Sequence, residues 1–289
     1  MKKNSIYDSP HGKHIILSAY EEILKQWPLP YEQIKVPTTY GQTAVLVSGA
    51  NDLPALILLH GATTNSAMWI GDVKALSHRY QVFAIDIIGE PGFSSESRPN
   101  HEGNHYGIWL EEIMLHFNLM RATLMGNSLG AWMALQLAKY RTNRVEALVL
   151  LAPSGLRPAR LSFVLKAIPL SLLGEWGTDK LNQIVYGQEN IPREAKAFGK
   201  LILDHFTPRI GSLPSLTDEE LQKFTMPILF IGGEKDALLH TRDSAERLQT
   251  FIPHAEVHII SNAGHVLIHQ QEIILNFLDK CKANKKTGV

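Results

Sequence analysis

The sequence predicts an α/β domain built on a mostly parallel central sheet with helices on both faces. Three observations predict it. Six short runs are mostly apolar, as expected of strands covered on both faces. Helical patterns fall between most of those runs, the alternation of an α/β fold. The composition is that of an ordinary globular protein: of 289 residues, 45% are hydrophobic and 19% charged, enough for one sizeable core.

Taken in order, residues 14–27 carry Ile16, Leu17, Tyr20, Ile23, Leu24 and Trp27 at helical spacing, and Pro28 and Pro30 end that helix. Two short strands follow at 33–36 and 44–48, with Tyr40-Gly41 turning between them. The apolar runs come next, at 55–59, 82–86, 122–125, 147–151, 227–231 and 256–260. Helices are expected at 67–78, 106–117, 129–140 and 241–251.

One interval breaks the alternation. Between Gly155 and Lys223 no buried strand is legible, and 161–168, 178–185 and 194–206 read as helices punctuated by Pro158, Pro169, Pro192, Pro208 and Pro214. The expected division is therefore a core of residues 1–154 and 224–289, with 1–30 as an N-terminal helical extension. Residues 155–223 form a helical cap inserted after strand six. The basic tail, 280–289, is expected to fray.

Lys plus Arg equals Asp plus Glu at 28 each, so the basic excess of a nucleic-acid binder is missing. The apolar runs are too short to span a bilayer, which argues against a membrane protein. Met1-Lys2-Lys3 opens like a secretion signal, but Asn4, Ser5, Asp8, Pro10, His11 and His14 interrupt the apolar stretch that should follow. A cytoplasmic location is the expectation. The single cysteine, Cys281, cannot form an internal disulfide and reads as an ordinary residue of a terminal helix.

The chemistry is carried by Gly126-Asn127-Ser128-Leu129-Gly130, a G-x-S-x-G motif. Chance alone gives roughly one such match per ten chains of this length. Its setting is what makes it informative, because it lies directly between a short apolar strand and a helix. In such a strand–turn–helix the serine is lifted to the carboxyl edge of the sheet, where ligands of α/β folds bind. A serine hydroxyl needs a base to take its proton and a third group to hold that base. Both are available past later strands: Asp236 in the loop after 227–231 and His265 in the loop after 256–260.

From Tyr31 onward the chain resembles the α/β-hydrolase family, and is most similar to bacterial carboxylesterases and to the proline iminopeptidase and C–C-bond hydrolase relatives. The residues that carry the likeness are His60-Gly61-Ala62 after the third strand, the G-x-S-x-G elbow, Asp236 and His265, in that order. The resemblance implies Ser128 as nucleophile, His265 as base and Asp236 as the orienting acid. It also implies an oxyanion hole from the backbone N–H groups of Ala62 and Leu129, with Thr63 as the alternative if the loop is shifted by one. It implies no cofactor and no metal. One departure stands out. Relatives carry D-x-x-G-x-G-x-S after strand four, whereas this chain has one extra residue between the glycines of Asp86-Ile87-Ile88-Gly89-Glu90-Pro91-Gly92-Phe93-Ser94.

Several other residues compete for these roles. His101-Glu102-Gly103-Asn104-His105 matches a zinc-protease pattern that works only on a helix, and Pro99, Asn100 and Gly103 argue for a loop. Asp86 precedes Ser128 and so stands in the wrong order for the triad acid. His240 and Asp243 compete with His265 and Asp236, but Asp243 suits the first turn of a helix. Trp69, Trp132 and Trp176 are candidate pocket-lining residues, though large aromatics more often pack in cores.

The functional expectation is an acyl-enzyme hydrolase acting on a small, mainly apolar carboxylic ester. The apolar preference is read from Leu161, Phe163, Leu165, Leu172, Leu173, Phe198 and Phe206 in the cap. Aminopeptidase or C–C hydrolase activity is the enzymatic alternative, and a ligand-binding signalling module is the alternative of another class. A small molecule is the expected partner, and oligomeric state is open.

Overall fold

The computed structural model describes residues 5–160, 169–170, 173–187, 191–209 and 211–287. Its centre is an eight-stranded sheet in the order β1-β2-β4-β3-β5-β6-β7-β8. The strands are β1 (Tyr31–Thr38), β2 (Gly41–Ser48), β3 (Ala55–Leu59), β4 (Gln81–Ile85), β5 (Ala122–Asn127), β6 (Val145–Leu151), β7 (Ile228–Gly233) and β8 (Glu256–Ile260). β2 runs antiparallel to β1 and β4, and every other neighbouring pair is parallel.

Alternation along each strand divides the core into two layers. Ile57, Leu59, Phe83, Ile85, Leu124, Leu148, Leu150, Ile228 and Phe230 face one side. There they meet α3 (His105–His116), α4 (Leu129–Tyr140) and α8 (Thr241–Phe251). Leu56, Leu58, Val82, Ala84, Met125, Val149, Leu229 and Ile231 face the other. They pack on α1 (Pro10–Leu24), α2 (Ile70–Ser77) and α9 (Gln271–Thr287). Burial on both faces is why these strands read as unbroken apolar runs.

The remaining helices among the described residues lie between β6 and β7. They are α5 (Gly174–Tyr186), α6 (Arg193–His205) and the four-residue α7 (Asp218–Leu221), which opens on a capping box between Thr217 and Glu220. The helix expected at 161–168 lies outside the described residues, as do Leu161, Phe163, Leu165 and Leu172.

Among the boundaries that differ from expectation, three stand out. α1 begins at Pro10, not at 14, because Ser9 caps it by accepting from the Gly12 N–H and proline suits the first helical turn. It closes at Leu24, three residues before Trp27, whose indole instead donates to Ser48 Oγ at 2.9 Å. The segment expected as one helix at 67–78 is a 3₁₀ turn, Ser66–Trp69, followed by α2.

The tail expected to fray from 280 instead continues α9 to Thr287. Lys280 pairs with Glu256 and Lys282 donates to the Arg79 carbonyl, which ties that helix to the sheet and to the end of α2. Cys281 sits on α9, and burial pushes its thiol up to about 11. Among the described residues no helix is long and apolar enough to cross a membrane.

An N-terminal seam is held by residues far apart in the chain. Tyr7 bridges Phe206, and Ile6, Tyr7, Ile16, Ile202 and Phe206 form a small core of their own. Asp8 N–H donates to the His205 carbonyl and its carboxylate meets His205 Nδ1 at 3.0 Å. This seam binds α1 to α6.

Candidate active site

The parallel strands bring their following loops to one edge of the sheet. β3 and β5 are neighbours, paired from Leu56 with Thr123 to Leu59 with Gly126, so the loop after β3 lies beside the turn after β5. β7 and β8 pair up to Gly233 with Ile260, which sets the two later loops side by side.

Ser128 occupies the turn between β5 and α4 with φ at 50°, in the left-handed region that a non-glycine residue enters only at a cost. The flanking glycines are required by close approach. A Cβ on Gly126 would stand 2.4 Å from the Ala131 N, and one on Gly130 would stand 2.1 Å from the Leu59 carbonyl oxygen. Ser128 N–H donates to the Leu151 carbonyl at 2.8 Å, tying the elbow to the end of β6. The serine is half-buried.

Ser128 Oγ lies 3.0 Å from His265 Nε2, and His265 Nδ1 lies 2.8 Å from Asp236 Oδ2. The second carboxylate oxygen of Asp236 accepts the N–H groups of Leu238 at 2.7 Å and Leu239 at 2.9 Å. Burial pushes this carboxyl up, but the bond and charge of His265 and the two N–H groups outweigh it and hold Asp236 below the usual carboxylate range. An ionised Asp236 accepts a proton-bearing Nδ1, which leaves the lone pair of Nε2 facing the serine. His265 is itself buried, with its N–H bonded to the Val185 carbonyl of α5.

The loop after β3 is clamped by the loop after β4. His60 is fully buried; its Nε2 accepts the Ile87 N–H at 2.9 Å, so Nδ1 carries the hydrogen donated to the Gly61 carbonyl at 2.7 Å. Burial lowers the pKa of His60, in keeping with a neutral ring. Asn65 donates to the Pro91 carbonyl, and Ser66 N–H to Asp86 Oδ1. Ala62, between these anchors, is exposed, while Leu129 is buried at the start of α4. Neither N–H donates to an acceptor among the described residues. Thr63 N–H is engaged: it donates to Glu90 Oε2 at 2.7 Å.

The rivals separate cleanly. Asp86 is buried and spends its carboxylate on Tyr20 Oη, Ser66 N–H and Phe93 N–H, a bracket between loops. His240 and Asp243 meet each other at 3.3 Å on the surface, and Asp243 sits in the first turn of α8. In the zinc-protease pattern, α3 begins only at His105, which bonds to Tyr40 Oη, while His101 packs against Trp132 and Tyr106. The two histidines thus share no helix face. Trp69 and Trp132 are core residues and Trp176 is exposed. Sequence reasoning did not find the Leu238 and Leu239 N–H pair, which is a turn geometry, nor the bond between Glu90 and the Thr63 N–H. The extra residue in its loop was the available signal for the latter.

Fold and elbow together define a class, and residues 56–273 match the model of the alpha/beta hydrolase family. The chain belongs to that family and is a carboxylesterase-like hydrolase. It is 30% identical to the carboxylesterase YbfK of Bacillus subtilis over 89% of this chain and 90% of that protein. The solved structure of carboxylesterase CesB (YbfK) from Bacillus subtilis superposes with a TM-score of 0.84 at 26% identity, covering 93% of this chain and 98% of that one. Naproxen esterase (carboxylesterase NP) from the same organism gives a TM-score of 0.81 at 27% identity, over 94% and 98% of the two chains.

Proposed function

We propose that the protein hydrolyses carboxylic esters through an acyl-enzyme on Ser128. The observation that carries this reading is the continuous relay from Ser128 Oγ through His265 to Asp236, at 3.0 and 2.8 Å. His265 takes the serine proton as Oγ attacks the carbonyl carbon, then returns it to the leaving alcohol. Asp236 keeps the imidazole in the tautomer that can accept and stabilises the imidazolium. The Ala62 and Leu129 N–H groups receive the oxyanion, a term that accounts for about 3 to 4 kcal/mol per donor in comparable sites. A water activated by the same histidine releases the acid. The esterase relatives from Bacillus subtilis support ester substrates.

In this reading residues 155–223 cap the site, and the contact of His265 N–H with the Val185 carbonyl supports a cap that touches the catalytic loop. A small, mainly apolar carboxylic ester remains the substrate proposed from the sequence of the cap. Phe198 and Phe206 do not add to it, because they pack in the seam with α1. The test is p-nitrophenyl acetate and butyrate turnover by wild type and Ser128→Ala, with fluorophosphonate and EDTA as controls. Turnover lost in the variant, blocked by fluorophosphonate and indifferent to EDTA supports the reading. Labelling of Ser128 without turnover on any ester overturns it in favour of a ligand-binding role.

A further inference from the structure

The loop carrying Ala62 is held in a conformation it would not choose. Thr63 is β-branched and has φ at 56°, a genuine outlier for such a residue. An outlier of this kind persists only where the surroundings over-determine it.

A peptide group is planar and trans, so fixing its C=O or its N–H fixes the other. Ala62 lies between two such groups. The one before it joins the Gly61 carbonyl to the Ala62 N–H, and His60 Nδ1 pins it at the carbonyl, at 2.7 Å. The one after it joins the Ala62 carbonyl to the Thr63 N–H. Its carbonyl accepts Thr63 Oγ1 at 2.7 Å, a contact within one residue that cannot anchor the loop to anything else. Its N–H donates to Glu90 at 2.7 Å, and this is the external anchor.

Glu90 belongs to the stretch between Gly89 and Gly92 that holds the extra residue. It is buried, where a carboxylate is retained only with partners. Burial pushes its carboxyl up to about 7, while the Thr63 N–H and the charges of Arg98 and Arg209 act the other way. Both arginines are themselves fixed. Arg98 donates to the Gly89 and Thr207 carbonyls, and Arg209 to the Pro99 carbonyl and Tyr106 Oη.

Building on the esterase reading, we propose that Glu90 is a positioning residue for the oxyanion site. By taking the Thr63 N–H it locks the peptide group after Ala62 and leaves the Ala62 N–H as the donor this loop offers to substrate. Glu90 touches no reacting atom in this scheme; it acts through Thr63.

Three substitutions test it. Glu90→Ala removes the acceptor. Glu90→Asp keeps the charge but withdraws it by one methylene, and stands in for Glu90→Ala if that variant does not fold. Glu90→Gln keeps an acceptor oxygen in place. With p-nitrophenyl acetate, kcat is expected to fall about 10- to 100-fold in the Ala and Asp variants, less than outright loss of an oxyanion donor, with KM within about threefold. Gln is expected to restore kcat to within about threefold of wild type. Hydrogen exchange across residues 60–66 should quicken in the Ala and Asp variants and stay slow with Gln. Wild-type kcat and wild-type exchange in both the Ala and Asp variants overturn the proposal, as does a Gln variant as impaired as Ala. Absence of Ser128-dependent hydrolysis in wild type overturns the esterase reading instead, and the exchange comparison still decides whether Glu90 holds the loop.

Discussion

The carboxylate of Asp236 and the imidazole of His265 meet at 2.8 Å although 29 residues separate them. They meet because β7 and β8 are adjacent and parallel, so that the loops leaving both strands emerge at the same edge. The same edge receives the elbow after β5 and the clamped loop after β3.

Asp236→Asn is expected to keep the fold and lower kcat by roughly 10³ to 10⁴, because an amide at Oδ2 no longer selects the productive tautomer. Oδ1 can still accept the Leu238 and Leu239 N–H groups, so the loop should hold. Steady-state kinetics beside a thermal melt check this; a melt shifted by many degrees would mean that Asp236 acts mainly on the structure.

Gly130→Ala should cost at least about 2 kcal/mol of stability. The added methyl group would stand 2.1 Å from the Leu59 carbonyl oxygen, which is backbone and cannot swing aside. A urea titration reads the loss, and an unchanged midpoint would show that the elbow can relax.

Tyr7→Ala removes a buried ring from the seam with Phe206, and a loss of about 3 kcal/mol is expected if the seam unfolds with the rest of the protein. If it opens locally, limited proteolysis should instead cut within 193–207 before the core is attacked. Neither change would mean that Phe206 is held by other contacts.

The stability of Glu90→Gln should depend on pH in a definite direction. The folded carboxyl sits at about 7 and its ordinary value is 4.5, so between these values the folded state keeps a proton that the unfolded chain releases. Wild-type stability therefore falls as pH rises through this window and stays lower above it. Gln does not titrate. The variant is expected to exceed wild type by roughly 1 to 3 kcal/mol at about pH 8, with the gap narrowing below about 1 kcal/mol at pH 5. Urea midpoints at the two pH values measure it, and a constant gap would place the carboxyl near its ordinary value.

The fold was legible because the central strands β3 to β7 are buried on both faces. Ala55–Leu59 and Glu256–Ile260 matched to the residue, as did the helices Leu129–Tyr140 and Thr241–Phe251. α9 was expected only as a terminal helix carrying Cys281, without bounds and with a frayed tail, because its buried face, Ile274, Phe277 and Leu278, is short and its last turns are strongly basic; contact with the sheet and α2 decides its extent. α1 was displaced because the cap at Ser9 and the proline at its start precede its apolar pattern.

By itself the sequence determined the order of strands and helices, the elbow glycines, and which serine, acid and histidine follow which strand. Those are matters of local pattern and of chain order, and neighbouring residues carry them. Only the tertiary structure decided that Asp236 and not Asp243 reaches His265, that Asp86 is a bracket, and that Glu90 grips Thr63 across 27 residues. Each of those is a distance between loops on different strands. Sheet order and loop course set such distances, and no spacing along the chain encodes them.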